Sequence, residues 1–332
     1  MKVVIIEGHR PSLMPDGPTL EREILGKGVE VLCFGEFPEA EARRHLPEAD
    51  AVITRPGTFF GTAYVALLAR CRVIVSLGVG VDHIDLAGAR EKGMPVANVP
   101  DYGTEEVADS AVAMILSHYR CLDAFVSAAR KGKMLWDWRL HRPIHRTSSR
   151  RAGIIGLGRI GTATALRLKA LGFQVSFYDP YLPSGVEKAV GLARHRDLWA
   201  LLRDNHIISI HTPLTHETAG MIDRDFLKAM DNEGILVNVS RGKLFKDMDS
   251  VEEILRERPR FRVATDVWPA EPPDDHPLLK AWQAGDTWLG DRLIVTPHAA
   301  FYSEEACRDL RVSAARIVAT ALSGGRPDNV VN

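Results

Sequence analysis

Short apolar runs alternate with amphipathic segments through the first hundred residues of the chain. The apolar runs are rich in β-branched side chains and lie close to Gly, Pro or Asp, a pattern that is typical of buried strands. The predicted strands are 2–6, 29–34, 51–54, 72–76 and 95–99, and the predicted helices are 19–25, 39–46 and 62–69. Strands that alternate with helices predict a parallel sheet with helices on both faces.

A second series of the same kind follows, introduced by a long helix. This helix is expected from Thr104, a suitable N-cap, to about Ala129, with Glu105 and Glu106 in its first turn. Further strands are predicted at 207–210, 234–239, 262–266 and 292–296, with helices near 197–203, 224–230 and 249–256. The last predicted helix, 303–322, is too short to form a domain and is expected to return to the first series.

The most informative local motif is Gly-x-Gly-x-x-Gly, formed by Gly156, Gly158 and Gly161. It follows an apolar run and precedes a predicted helix, 162–171, after which a second strand, 174–178, ends at Asp179. This order is the fingerprint of a dinucleotide-binding fold. The glycines allow a tight turn, an approaching pyrophosphate and close helix packing, and the helix N-terminus favours the phosphates. Asp179 can bind an adenosine ribose and would repel a 2′-phosphate, so NAD is favoured over NADP.

The fold class is therefore α/β, with two doubly wound parallel-sheet (Rossmann-like) domains and an active-site cleft between them. The expected domains are a discontinuous substrate domain, 1–101 with 298–332, and an NAD-binding domain, 102–297. A length of 332 residues suits two domains.

Composition and charge narrow the possible partners. Lys+Arg 42 against Asp+Glu 43 gives a net charge of -1, so nothing indicates nucleic acid. No apolar run is long enough to span a membrane, and no signal peptide is evident. The four cysteines are scattered without a Cys-x-x-Cys motif, which indicates neither a disulfide framework nor a metal site and suggests a cytoplasmic protein.

A basic, aromatic segment at 130–151 contains Trp136, Trp138, His141 and His145. It is either an arm that packs on a partner subunit or a basic loop over the active site. The arm is favoured because paired tryptophans in an irregular segment usually need a large covering surface. A homodimer is therefore expected.

Polar residues follow the late strands, where ligands bind in open α/β sheets. Arg241 follows one strand, Asp266 and Glu271 follow the next, and His298 follows the last. An Arg can bind a carboxylate with two hydrogen bonds, and a His can transfer a proton near neutral pH. A Glu beside that His can fix its tautomer. His83, His211 and His216 are expected to be structural or to border the cofactor.

Several motifs in one order resemble the D-isomer-specific 2-hydroxyacid dehydrogenase family over nearly the whole chain. They are Gly78–Asp85, Asn98–Pro100, Glu105–Asp109, the glycine turn, Asn238–Gly242, Asp266–Val267 with Glu271–Pro272, and Thr296–His298. Within the family, Phe177–Tyr181 and His298–Glu304 are most similar to the C-terminal-binding-protein branch.

The resemblance implies an NAD-dependent enzyme that interconverts a 2-keto acid and a D-2-hydroxy acid by hydride transfer. It implies that Arg241 binds the substrate carboxylate, that His298 is the acid/base and that Glu271 is its partner. Backbone N–H groups of Val79 and Gly80 would also bind the carboxylate. The residues expected at NAD are Thr104, Gly156, Gly158, Arg159, Ile160, Gly161, Asp179, Thr212, Pro213, Ser240 and Asp266. No metal is implied.

Three departures from the branch pattern leave the substrate open. Ser76 replaces an Arg, Phe301 replaces a Trp near the substrate, and an apparent insertion lies around 281–291, with Trp282 and Trp288. Arg55 either supplies the missing positive charge to the substrate or is a surface residue. Two alternative functions remain: an NAD(H)-responsive, corepressor-like binding protein, and a phosphite- or formate-type dehydrogenase. The presence of Glu271 argues against the formate type.

Overall fold

The chain forms two compact units in the computed structural model, which describes residues 1–8, 11–130, 132, 138–141, 143–273 and 275–332. Unit 1 comprises Met1–Gly103 and Tyr302–Asn332, and unit 2 comprises Thr104–Phe301.

The first part of unit 1 alternates strands and short helices. In chain order these are β1 (Lys2–Ile6), α1 (Thr19–Leu25), β2 (Glu30–Phe34), α2 (Glu39–His45), β3 (Ala51–Thr54), α3 (Thr62–Leu67), β4 (Ile74–Ser76), α4 (Leu86–Glu91) and β5 (Val96–Ala97).

Unit 2 begins with two helices and then alternates strands and helices. In chain order these are α5 (Thr104–Arg120), α6 (Leu122–Arg130), β6 (Arg151–Ile155), α7 (Arg159–Ala170), β7 (Gln174–Tyr178), α8 (Val186–Val190), β8 (Ala193–His195), α9 (Leu198–Asp204), β9 (Ile207–Ile210), α10 (Arg224–Ala229), β10 (Ile235–Asn238), α11 (Asp249–Glu257), β11 (Arg262–Thr265), α12 (Pro277–Ala284) and β12 (Leu293–Val295). The last helix, α13 (Glu304–Leu322), belongs to unit 1.

The sheet of unit 1 is parallel, with strand order β2-β1-β3-β4-β5. Side chains of a strand point alternately to its two faces. In β1, Val3 and Ile5 accordingly join one core and Val4 and Ile6 the other. The apolar face of α13 covers the first of these cores.

The sheet of unit 2 is also parallel, with strand order β12-β11-β10-β9-β6-β7-β8. Its strands read as continuous apolar runs because helices bury both faces. The strand order reverses around β6, which lies between β9 and β7, and this is the position at which such sheets bind ligands. The predicted α/β fold class with two doubly wound parallel sheets is confirmed.

Some predicted boundaries differ from the structure. The long helix expected from Thr104 is interrupted at Cys121, which has a left-handed φ of 52° and separates α5 from α6. The helix after the glycine turn begins at Arg159, before the expected 162. Residues 298–301, expected in the first domain, lie in unit 2. They are held there because the N–H groups of His298, Ala299 and Ala300 all donate to Asp266.

Candidate active site

The turn between β6 and α7 requires two of its glycines for different reasons. Gly156 has a φ of +86°, and a Cβ there would lie 2.8 Å from the carbonyl oxygen of His211. A Cβ on Gly161 would overlap the carbonyl oxygen of Gly156. Gly158, in contrast, has open space around it, since no atom of the described residues would lie within 4 Å of an added Cβ. The protein itself therefore does not require Gly158, but an approaching phosphate would.

Asp179 closes the other side of this turn. Its carboxylate accepts hydrogen bonds from the N–H of Leu157 (2.9 Å) and the N–H of Tyr181 (3.0 Å). These bonds hold an anionic group beside the glycine turn, at the end of β7. Ile160 packs against the core at the start of α7, whereas Arg159 is exposed there.

Unpaired hydroxyl groups provide a test of whether this region suits a dinucleotide. The side chain of Thr212, after β9, packs against Gly156, since a Cβ there would lie 3.0 Å from Cγ2 of Thr212. Its buried Oγ1 has no hydrogen-bond partner among the described residues, and the same is true of Thr104 Oγ1 at the start of α5. Because buried polar atoms are normally paired, the Thr212 hydroxyl fits a polar ligand beside the glycine turn.

Two other expected cofactor contacts are used within the protein. The Ser240 hydroxyl donates to the carbonyl of Ile210 (2.8 Å), and Pro213 accepts a bond from the Thr218 hydroxyl (2.7 Å). His211, next to Thr212, is half-buried with an inaccessible Nδ1, and desolvation of the ring lowers its pKa to about 3. It is therefore neutral and structural at physiological pH, with Nε2 2.8 Å from Ser209 Oγ.

Asp266 organises the loop that carries His298. It is 2% exposed, and its carboxylate accepts bonds from Thr296 Oγ1 (2.5 Å), Ala299 N–H (2.8 Å) and Ala300 N–H (3.0 Å). Burial raises the pKa of Asp266, while these hydrogen bonds act in the opposite direction. The residue expected at NAD thus also anchors residues 296–300.

The central contact of the site joins His298 to Glu271. His298 Nδ1 lies 2.7 Å from Glu271 Oε2, and the other carboxylate oxygen accepts the N–H of Trp268 at 3.1 Å. His298 has a left-handed φ of 54°, and its ring meets that of Phe301 edge-on, with centroids 6.4 Å apart. An ionised carboxylate only accepts, so Nδ1 carries the proton, and Nε2 is the ring nitrogen that does not face Glu271.

Arg241 lies in the loop after β10, the strand beside β11. Its carbonyl accepts a bond from the Asn238 side chain (3.0 Å), and its Nη1 donates to the carbonyl of Ser240 (2.8 Å). A Cβ on Gly242 would overlap the backbone of Trp268, so this loop packs closely on the segment that leads to Glu271. No role is predicted from the sequence for Asn238 and Gly242, although both belong to the motif Asn238–Gly242. The pattern that could have indicated their role in this loop is an Asn at a strand end followed by Arg-Gly.

The expected substrate residues of unit 1 follow β3 and β4. Ser76 Oγ donates to the carbonyl of Gly80 (2.6 Å), and Asn98 Nδ2 donates to the carbonyl of Val79 (2.7 Å). Ser76, which replaces an Arg, therefore holds this loop. Arg55 is 8% exposed and donates to the carbonyl of Pro11 (2.7 Å), so the interpretation of Arg55 as a surface residue is wrong.

The basic segment at 130–151 is described only in part. Trp136 lies outside the described residues. Trp138 is 70% exposed and His145 is also exposed. Among the described residues, no cluster of His, Cys, Asp and Glu is placed to hold a metal ion, and no helix has the length and apolarity needed to cross a membrane.

Comparison with known proteins identifies the family. The family model described as "D-isomer specific 2-hydroxyacid dehydrogenase, NAD binding domain" matches residues 112–300. The chain belongs to the D-isomer-specific 2-hydroxyacid dehydrogenase family. Unit 2, with its glycine turn, is thus the NAD-binding domain of this oxidoreductase family, and NAD is its cofactor.

Relatives and solved structures agree with this family. The chain is 33% identical over 310 residues to a D-3-phosphoglycerate dehydrogenase from Methanocaldococcus jannaschii, covering 93% of this chain and 57% of the relative. It therefore spans little more than half the length of that protein. A structure of the TT0316 protein from Thermus thermophilus has a TM-score of 0.83 and 28% identity, with full coverage of both chains. A D-lactate dehydrogenase from Aquifex aeolicus, complexed with NAD and lactic acid, has a TM-score of 0.81, 25% identity and 96% coverage of both chains.

Proposed function

We propose that the chain is an NAD-dependent dehydrogenase that interconverts a 2-keto acid and a D-2-hydroxy acid. The observation that carries the proposal is the 2.7 Å contact between His298 Nδ1 and Glu271 Oε2. The pair follows β12 and β11, at the same sheet edge as the glycine turn after β6. A proton-transfer group thus shares one unit with the family's NAD-binding turn.

His298 supplies the acid and base chemistry of this proposal. Bound NADH would supply a hydride to the carbonyl carbon of the keto acid. In that direction, protonated His298 gives its Nε2 proton to the developing alkoxide, and in the reverse direction neutral Nε2 removes the hydroxyl proton. Glu271 holds Nδ1–H, so the ring presents Nε2 in both directions.

Arg241 is the proposed binding group for the substrate carboxylate. Its guanidinium can form two parallel hydrogen bonds with a carboxylate, and its positive charge stabilises the developing alkoxide. In unit 1, the N–H groups of Val79 and Gly80 are the proposed second set of carboxylate donors, because the carbonyls of their loop are already held by side chains. Phe301 would shield one edge of His298 from water.

The names of similar proteins and the position of Arg55 bear on which keto acid is the substrate. The names of the relatives include D-3-phosphoglycerate dehydrogenase and D-lactate dehydrogenase. We propose a small 2-keto acid, with buried Arg55 as the candidate group that binds a second negative charge on the substrate.

We also propose a homodimer formed through unit 2, supported by the exposed indole of Trp138. None of the four cysteines is in a disulfide bond, which fits the proposed cytoplasmic location.

Steady-state turnover tests the proposal. NADH oxidation is measured with pyruvate, glyoxylate, hydroxypyruvate and 3-phosphohydroxypyruvate, and NAD reduction with phosphite and formate. We expect turnover of at least one keto acid, and a kcat about 1000-fold lower in His298→Ala because general acid–base catalysis is lost. His216→Ala is the matched control, since that side chain is 91% exposed, and it should keep full activity.

The alternatives predict other results. NADH binding without turnover of any keto acid would favour the binding-protein alternative, which rests on the similarity of Phe177–Tyr181 to the C-terminal-binding-protein branch. Oxidation of phosphite or formate, without turnover of any keto acid, would favour a phosphite- or formate-type dehydrogenase. Unchanged keto-acid turnover in His298→Ala would show that His298 is not the acid/base.

A further inference from the structure

Unit 2 has a second group of convergent polar residues at the amino edge of its sheet. Four neighbouring strands, β6, β9, β10 and β11, begin there side by side. His206 N–H donates to the carbonyl of Arg151 (3.0 Å), Ile235 N–H to that of His206 (2.9 Å), and Arg262 N–H to that of Gly234 (2.9 Å). The side chains that precede or start these strands therefore lie next to one another, at the edge opposite the glycine turn.

A narrow recess of about 30 Å³ lies over these strand starts, and its lining includes Tyr119, Arg150, His206, Glu233 and Arg262. Among the described residues, the ion pairs within 4 Å involve the neighbouring Arg167 and Arg260 but neither Arg150 nor Arg262. Arg262 makes two contacts of 3.4 Å, to the carbonyl of Arg260 and to Cys121 Sγ. Glu233, the acid in the recess, forms an ion pair with Arg260. In the described part of the chain, neither guanidinium group therefore has an ion-pair partner of its own.

Two further polar groups of the recess, Tyr119 and His206, are also donors. Tyr119 is 8% exposed, and its buried hydroxyl lies beside Arg150 but makes no hydrogen bond of good geometry in the described part of the chain. Burial raises the pKa of Tyr119, so its hydroxyl keeps its proton. His206 Nδ1 accepts the N–H of Arg151 (3.2 Å), which leaves the proton on Nε2. An anion would satisfy this set of donors, whereas a cation or an apolar group would not.

A larger cavity of about 380 Å³ continues from the recess and shares Arg262 with it. One wall is residues 287–292, which include most of the apparent insertion's second half, and Trp288 is stacked under the Arg256 guanidinium at 3.7 Å. A cavity of this size suits a small organic molecule. Asp123 and Asp291 also line it, so the anionic group of a ligand is better placed at the recess than in the larger cavity.

We propose that this edge of unit 2 binds a small organic anion, with its phosphate or carboxylate on Arg150, Arg262 and Tyr119 and its body against Trp288. The site is distinct from the cofactor turn, because each strand separates the two edges by about 13 Å. The site would give the apparent insertion around 281–291 a function separate from hydride transfer. The proposal does not depend on which keto acid is the substrate.

Isothermal titration calorimetry on the full chain, saturated with NADH to occupy the glycine turn, tests this site. The probes are inorganic phosphate and phenyl phosphate. We expect one site per chain, with phenyl phosphate at least about fivefold tighter because its ring enters the larger cavity. Arg150→Met and Arg262→Met should each weaken phenyl phosphate binding about tenfold, through loss of a charge-assisted bond. Tyr119→Phe, which removes one hydroxyl and keeps the ring, should weaken it about threefold.

Two control variants locate the binding. Arg196→Met removes an exposed charge from the same unit and should leave the affinity unchanged. Arg241→Gln should also leave it unchanged, which separates this site from the substrate site. An absence of saturable binding by correctly folded, NADH-binding protein would overturn the proposal. Equal affinities in wild type, Arg150→Met, Arg262→Met and Tyr119→Phe would do so as well.

Discussion

The first strand–helix turns of the two units differ although both lie in parallel α/β sheets. In unit 2, three residues join β6 to α7, and the first turn of α7 carries no acid. In unit 1, β1 is followed by Glu7, whose carboxylate accepts bonds from Ser12 Oγ (2.5 Å) and Leu13 N–H (2.7 Å). The next helix, α1, carries buried Glu21 in its first turn, ion-paired with Arg311 at 2.8 Å.

This difference explains why only one of the two turns suits an anionic cofactor. A helix N-terminus favours negative charge, and in unit 1 the protein's own carboxylates already occupy the region. In unit 2 the short glycine turn leaves the N–H groups of α7 for phosphates. The sheet thus positions a turn, whereas turn length and local charge decide what the turn binds.

The strongest test of this comparison is Gly161→Ala. The new Cβ would overlap the Gly156 carbonyl oxygen, and backbone atoms cannot move aside cheaply. We expect unit 2 to lose at least about 3 kcal/mol of unfolding free energy, and NADH binding to be abolished. Urea unfolding followed by tryptophan fluorescence measures the first effect, because all six tryptophans lie between residues 136 and 288. NADH fluorescence titration measures the second.

Two glycines provide matched controls for this substitution. Gly28→Ala in unit 1 has open space and should change neither property. Gly158→Ala has the same open space, so stability should be kept, but its Cβ would occupy the place of the pyrophosphate and lower NADH affinity. If Gly161→Ala bound NADH normally, close helix packing would not be the reason for this glycine.

Acid should destabilise unit 2 through its buried histidines. Burial lowers the pKa of His118 to about 4, and its Nε2 bonds the carbonyl of Val263 at 2.9 Å. The unfolded state takes up a proton near its usual pKa of about 6.5, which the folded state resists until about pH 4. This stabilisation is therefore complete above pH 6.5 and is lost as the pH falls towards 4.

His118→Gln should remove part of this pH dependence. The stability lost between pH 7 and pH 4 should decrease by on the order of 3 kcal/mol relative to wild type, since one differential protonation is removed. Tryptophan-detected urea unfolding at a series of pH values checks this. His216→Gln, at an exposed position, should keep the wild-type slope. An unchanged slope in His118→Gln would mean that this histidine titrates normally in the folded protein.

Features of the site that depend on neighbouring residues could be predicted from the sequence, but contacts between residues far apart in the sequence could not. The glycine turn and Asp179 form a short continuous pattern, and each glycine has a local steric reason. The break at Cys121 between α5 and α6 has no Gly or Pro signal in the sequence, although Cys121 adopts a left-handed φ of 52°.

The burial of Arg55 and the anchoring role of Asp266 depend on partners far apart in sequence. Arg55 bonds a carbonyl 44 residues away, and Asp266 bonds backbone N–H groups 33 and 34 residues away. The type of each residue indicated polar chemistry, but only the fold determines whether a charge contacts a ligand or holds a loop. The pairing of His298 with Glu271 is implied by the family resemblance, whereas the 2.7 Å distance between them is set by the fold.

Two glutamates, one in each unit, separate a role in catalysis from a role in stability. Glu271→Gln should lower kcat about 100-fold, because an amide no longer fixes the tautomer and orientation of the imidazole. Glu7→Gln removes the same charge from unit 1 and should lower the melting temperature while leaving kcat within about twofold. Steady-state kinetics and thermal unfolding of both variants measure these effects. A similar loss of kcat in both would show that Glu271 acts through stability alone.

The smallest expected effect concerns cofactor choice at Asp179. In Asp179→Ala, the ratio of kcat/KM for NADH to that for NADPH should fall about tenfold, since a ribose acceptor and a charge that repels the 2′-phosphate are both lost. Asp204→Ala, which removes an exposed carboxylate of the same unit, is the control and should keep the ratio. Asp179 also accepts the N–H of Leu157, so some loss of affinity for both cofactors is expected. If both affinities fell equally, Asp179 would only support the glycine turn, and the turn alone would account for dinucleotide binding in unit 2.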